Sequence, residues 1–174
     1  MLLSRLHRDE LYVARHERRH ICRVGEKTLN YSAVQPALLE DARQGGTKLI
    51  EAFAAGMWGG YGYAVQRKIM LLTKDDSCRD DLWEKEELLR STFQPGTYFT
   101  NHFLILSKTP RQPLRDGGRA DDDAGTVKLA LKSITYSGVE GASTDPDPFG
   151  GVGGWLHRQY AKLLVESGAD NCVQ

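Results

Sequence analysis

The chain lacks net charge, a cysteine framework and any long apolar run, and each absence removes a class of protein. Its 174 residues carry 23 basic and 23 acidic side chains. These totals cancel, so no long-range field draws the whole chain to nucleic acid, and no nucleic-acid partner is expected. Three cysteines, Cys22, Cys78 and Cys172, lie far apart with no C-x-x-C pair. That spacing argues against a disulfide scaffold and fits a reducing compartment. At the start of "MLLSRLHRDELYV" only Met1, Leu2 and Leu3 precede the first polar and charged residues, Ser4 and Arg5. Such a run is too short for a signal peptide or a membrane span, so a cytoplasmic protein is expected.

What is present suits one α+β domain spanning residues 1–174. The composition, 40% hydrophobic and 26% charged, supplies a single core without metal or disulfide support.

Spacing and element order decide which motifs could carry chemistry. "GMWGGYGYAVQRKIML" is rich in glycine, but a phosphate loop runs from strand through G-x-x-x-x-G-K-[ST] into a helix. Here the glycines follow a helical pattern, and no Lys-Ser or Lys-Thr comes after them. The dinucleotide fingerprint fails for the same reason. The glycines therefore predict a helix stop at Gly56 and a turn at Gly59-Gly60, or a wall where something approaches the backbone closely.

"RHERRH" matches H-E-x-x-H, with His16 and His20 four apart and Glu17 after the first. Arg18 and Arg19 would repel a dication there, and a third ligand is not evident. Asp121 to Asp123 lack the alternation of a calcium loop. No metal and no cofactor are expected. Cys22, among Arg18, Arg19 and Arg23, is either an activated thiol or a buried residue of a short strand "HICRV".

Along the chain, "NYSAVQPALLEDARQ" predicts a helix with Ser32 as N-cap and Gln35 completing a capping box. Gly45-Gly46 interrupt it, and "TKLIEAFAAGMW" resumes helical spacing at Leu49, Ile50, Phe53, Ala54 and Met57. From Tyr61 the pattern reads with period two. Tyr61, Tyr63, Val65, Ile69 and Leu71 would share a strand face that Arg67 interrupts. "DDSCRDDLWEKEELLRS" suggests a helix, and "TYFTNHFLILSK" a central strand apolar on both faces. "TVKLALKSITYSG" suggests another strand, whose apolar register slips near Ser133. The segment 109–125 has the composition of an exposed loop. "WLHRQYAKLLVESG" is an amphipathic helix that Gly168 would stop.

The strands "YGYAVQRKIMLL", "YFTNHFLILSK" and "TVKLALKSITYS", followed by "GGWLHRQYAKLLVES", together resemble the START-like helix-grip fold. That resemblance implies an antiparallel curved sheet, N-terminal helices and a C-terminal amphipathic helix around an internal cavity. A hot-dog fold and a cone-shaped cyclase fold are the alternatives.

A cavity of that kind would take a small hydrophobic ligand. Arg67, on an apolar face, would anchor an anion, and His102, mid-strand, would serve as general base. Trp58, Tyr61, Tyr63, Tyr98, Phe103 and Trp155 would line the pocket. The expected function is binding of a small hydrophobic molecule with cofactor-free acid–base chemistry such as cyclisation, isomerisation or dehydration. A non-catalytic carrier or interaction domain is one alternative. Thioester hydrolysis, with Glu51 as its acid, is another. The sequence leaves the oligomeric state open.

Overall fold

In the computed structural model, residues 20–72, 74–75, 80–108, 125–135 and 150–174 are described. The fold is α+β. In chain order these residues form β1 (His20–Asn30), α1 (Pro36–Arg43), α2 (Lys48–Gly59), α3 (Tyr61–Leu71), α4 (Lys85–Arg90), β2 (Tyr98–Phe99), β3 (Phe103–Leu104), β4 (Thr126–Thr135) and α5 (Gly150–Asp170). Among them the strands make two antiparallel pairs, β1 with β4 and β2 with β3.

Alternation sets the faces of the larger sheet. Leu29 lies opposite Val127, Lys27 opposite Leu129 and Gly25 opposite Leu131, so these six share one side. Leu29, Val127 and Leu129 are buried there, and Leu131 packs against the same core. α5 lies on this face so closely that a Cβ on Gly25 would come 2.9 Å from Val165 Cγ2. Lys27 reaches across to the Glu166 carboxylate of α5 at 2.6 Å. On the outer face Lys128 pairs with Glu26, also at 2.6 Å. The register irregularity expected near Ser133 falls on the partner strand, between Arg23 and Gly25.

Proline decides where α1 begins. Pro36 occupies its first turn, where the missing N–H costs nothing, and Gln35 is the cap residue. Neither Ser32 nor Gln35 makes the expected capping bond. The Gln35 amide instead donates to the carbonyls of Asn171 and Val173, at 3.1 and 3.2 Å, tying the C-terminus to the start of the helix.

The glycine-rich stretch joins two helices, which corrects the expected helix-to-strand order. Gly60, with extended backbone at ψ −169°, is the only break between α2 and α3, and Tyr61 through Leu71 are helical. Gly56 does not cap α2. It sits buried within it, where a Cβ would lie 2.5 Å from Asn171 Cβ and 2.7 Å from the Ser167 carbonyl. What approaches the backbone so closely is α5. Its Ser167 hydroxyl donates to the Gly56 carbonyl at 2.8 Å and accepts from the Gly62 N–H at 3.2 Å, pinning the α2–α3 elbow. Gly168 likewise continues α5, which runs on to Asp170.

The expected central strand over "TYFTNHFLILSK" is a tight hairpin. Thr100 and Asn101 take φ of 50° and 56°, reversing the chain between β2 and β3. The buried Asp81 carboxylate accepts from the Asn101 N–H at 2.7 Å and helps hold that turn. Among the described residues of "DDSCRDDLWEKEELLRS" the expected helix covers only α4. Glu84 and Glu87 close a capping box at its start, and Trp83 is buried just before it.

Candidate functional site

Most of the residues expected to line a pocket meet in an aromatic cluster. The Trp58 ring lies 4.8 Å from Phe103, 5.1 Å from Phe99 and 5.3 Å from Tyr63. Phe99 stacks on Phe103 at 4.9 Å. The rings fill one another's space in the offset and edge-on geometries that aromatic quadrupoles favour. Tyr63 and Phe99 are fully buried, and Trp58 and Phe103 are half-buried against the core. The cluster is packed core. It forms because α3 turns Tyr63 inward toward the β2–β3 hairpin.

The other expected lining residues stand elsewhere. Tyr61 is exposed and donates to Asp170 at 2.9 Å. Tyr98 on β2 and Trp155 on α5 are exposed.

Arg67 is on a helix, so the apolar strand face it was expected to interrupt does not exist. Its Nη1 donates to the Trp58 carbonyl at 3.3 Å, bracing α3 against α2. His102 lies half-buried in the hairpin turn, its Nδ1 paired with the Thr100 carbonyl. Glu51 is bound by Lys108 at 2.8 Å and by the Thr47 hydroxyl at 2.6 Å. Burial acts to raise its pKa, but these bonds outweigh it and hold the carboxyl below its ordinary value. Cys172 is buried, and burial pushes its thiol up to about 12, far from an activated nucleophile. No cluster of metal-ligating side chains occurs among the described residues. The H-E-x-x-H stretch from His16, the Cys22 side chain, Cys78, Asp121 to Asp123 and the loop 109–124 lie outside the description.

The Thr100 hydroxyl beside the cluster gave no sequence signal. Tyr63 Oη lies 2.6 Å from Thr100 Oγ1, with both side chains buried. Burial raises the Tyr63 pKa, and the Thr100 bond and the Arg67 charge offset it only in part. The Tyr160 hydroxyl is buried without a partner among the described residues. Burial, with Tyr63 nearby, raises its pKa strongly, so it stays protonated.

Open space lies on the other side of α2. A cleft of about 400 Å³ runs between the α1–α2 elbow and β4, walled by Ala42, Leu49, Ile50, Val127 and Leu129 with the Lys128–Ala130 edge. Helical spacing had placed Leu49 and Ile50 in an apolar stripe, and Val127 and Leu129 belong to the expected strand "TVKLALKSITYSG". Which flank of that stripe stays uncovered depends on how α2 sits beside β4, and no pattern along the chain encodes that. Among the described residues β4 is paired along one edge only, with β1, and four consecutive β4 residues, Val127 to Ala130, line the cleft. Among the described residues of its wall, Lys128 is the single ionisable side chain. No helix among the described residues is long and apolar enough to cross a membrane. Comparison with protein-family models, with curated proteins and with solved structures finds no match to this chain.

Proposed function

We propose that this chain is a binding domain that takes a small hydrophobic molecule into the cleft between the α1–α2 elbow and β4, without transforming it. The observation that carries this reading is the cleft itself. Its 400 Å³ falls within the range of about 300–1,000 Å³ typical of small-molecule sites, and its wall is aliphatic. Burying a ligand there removes apolar surface of both partners from water, at about 25 cal/mol per Å². Lys128 already pairs with Glu26, so the described residues of the wall include no uncommitted acid or base. Acid–base chemistry by His102 and Arg67 finds less support, because both hold backbone carbonyls beside a packed aromatic cluster.

The test is a fluorescence titration with the apolar probe N-phenyl-1-naphthylamine. Ile50 is half exposed in the cleft wall, so Ile50→Glu leaves the fold intact and puts a charge where the probe sits. Binding should weaken by about tenfold or more, equivalent to about 1.4 kcal/mol. His102→Gln should bind as the parent does. Unchanged affinity in Ile50→Glu would remove the cleft from the account.

A further inference from the structure

The ladder of β1 and β4 leaves one row of main-chain groups unpaired. The Tyr31 N–H donates to the Gly125 carbonyl at 2.7 Å, and these two residues are the next pair beyond Asn30 and Thr126. Hydrogen-bonded pairs alternate with non-bonded ones along an antiparallel ladder, so Leu29 with Val127 and Lys27 with Leu129 are the bonded pairs. The N–H and C=O groups of Lys128 and Ala130 therefore point away from β1. Neither residue has another backbone partner among the described residues.

The cleft borders that row. Its wall includes Val127 and Leu129, whose side chains are buried in the core, and Lys128 and Ala130, which are exposed on the outer face. Space that meets both faces of a strand lies at its edge. Among the described residues none of β1 is in the wall, so this edge is the one turned away from β1. The cleft thus joins an aliphatic wall to a line of main-chain donors and acceptors.

That combination selects the ligand. A purely aliphatic molecule would strip water from the Lys128 and Ala130 main chain and supply no hydrogen bond in return. An extended peptide answers both parts of the wall, because its own N–H and C=O groups alternate as the edge requires. Lying about 4.8 Å from β4, at about 3.4 Å per residue, three or four of its residues would span Val127 to Ala130. Its inner side chains would meet Ala42, Leu49, Val127 and Leu129, and its outer ones would lie beside the exposed Lys128–Glu26 pair.

We infer that the ligand of this cleft is a short extended peptide, aliphatic at every second position, added as a strand to the open edge of β4, a conclusion that rests on the cleft being the binding site.

Displacement of N-phenyl-1-naphthylamine from the full chain by the blocked peptide acetyl-Thr-Val-Thr-Val-Thr-amide provides the test. The peptide should displace the probe from the parent. Alternate amides of an added strand face β4, so two N-methylated forms, one at both valines and one at the second and third threonines, should behave differently. One should displace the probe about tenfold or more weakly than the unmethylated peptide, and the other about as well. Equal displacement by the two methylated forms would overturn the strand pairing. So would a peptide that fails to displace a probe whose binding Ile50→Glu weakens, and the cleft would then remain a site for other apolar molecules. Unchanged probe affinity in Ile50→Glu, read without peptide, would instead remove the cleft and the inference with it. A parent dimer in sedimentation velocity that the peptide dissociates would assign the β4 edge to a second copy and overturn the inference.

Discussion

The hydroxyls of Tyr63 and Thr100 meet at 2.6 Å, both side chains fully buried, and join α3 to the β2–β3 hairpin across the aromatic cluster. Thr100 adopts φ 50°, which a β-branched residue seldom tolerates, so surrounding contacts must hold the turn. Tyr63→Phe keeps the ring packing and strands the Thr100 hydroxyl in the core. It should cost about 1–3 kcal/mol in urea unfolding. A variant as stable as the parent would mean that this bond does not hold the hairpin to α3.

The α2–α5 crossing depends on the absence of a side chain at Gly56. Alanine is the better helix former by about 1 kcal/mol, so an exposed helix position would gain from Gly→Ala. At Gly56 the new Cβ would meet Asn171 Cβ at 2.5 Å and the Ser167 carbonyl at 2.7 Å. Overpacking of this kind costs about 1–3 kcal/mol. Gly56→Ala should therefore lower the thermal midpoint, and a raised midpoint would contradict the crossing.

Acid should weaken the tie between α2 and Lys108. The folded-state pKa of Glu51 lies below its unfolded value, so its contribution is fully present above the ordinary glutamate range. It is lost as pH falls through the folded pKa. Both side chains are largely shielded from solvent, at 19% and 16% accessibility. Glu51→Gln should cost about 1 kcal/mol at pH 7 and nothing at a pH below the folded pKa. Urea midpoints for parent and variant across that range check the convergence. A gap that persists in acid would rule out the charge as its source.

Cys172 should be inert while the protein is folded. With its thiol pushed up to about 12, the thiolate at pH 8 is about three orders of magnitude scarcer than for a free cysteine. In a Cys22→Ser/Cys78→Ser background, Ellman's reagent should react slowly with native protein and promptly in denaturant. Prompt native labelling would show that the C-terminal turn opens.

The α+β class, the break at Gly45-Gly46, α2 and the strand Thr126–Thr135 were legible because period and punctuation agree in those segments. "YGYAVQRKIM" was misread as a strand because both periods fit its apolar residues. Its buried side includes Gly62, which hydropathy cannot mark and which is buried because α5 needs the space. The hairpin at Thr100-Asn101 was hidden for a related reason. Asn101 hints at positive φ, whereas Thr100 adopts it against its own preference. Pro36 marks the start of α1, whereas the spacing of Ser32 and Gln35 suggested a start about one turn earlier.

These misreadings moved the expected site. Once Tyr63 and Arg67 stand on a helix, the aromatics become core, and the open apolar wall lies beside β4.

In the proposed function, ligand enters the cleft between α2 and β4 and leaves the aromatic cluster closed. An amide correlation spectrum, recorded on isotopically labelled protein during titration with N-phenyl-1-naphthylamine, tests this most directly. Progressive shifts are expected at Leu49, Ile50 and Lys128 through Ala130, with Tyr63, Phe99 and Phe103 unmoved. Shifts centred on Tyr63, Phe99 and Phe103, with the cleft amides still, would contradict it.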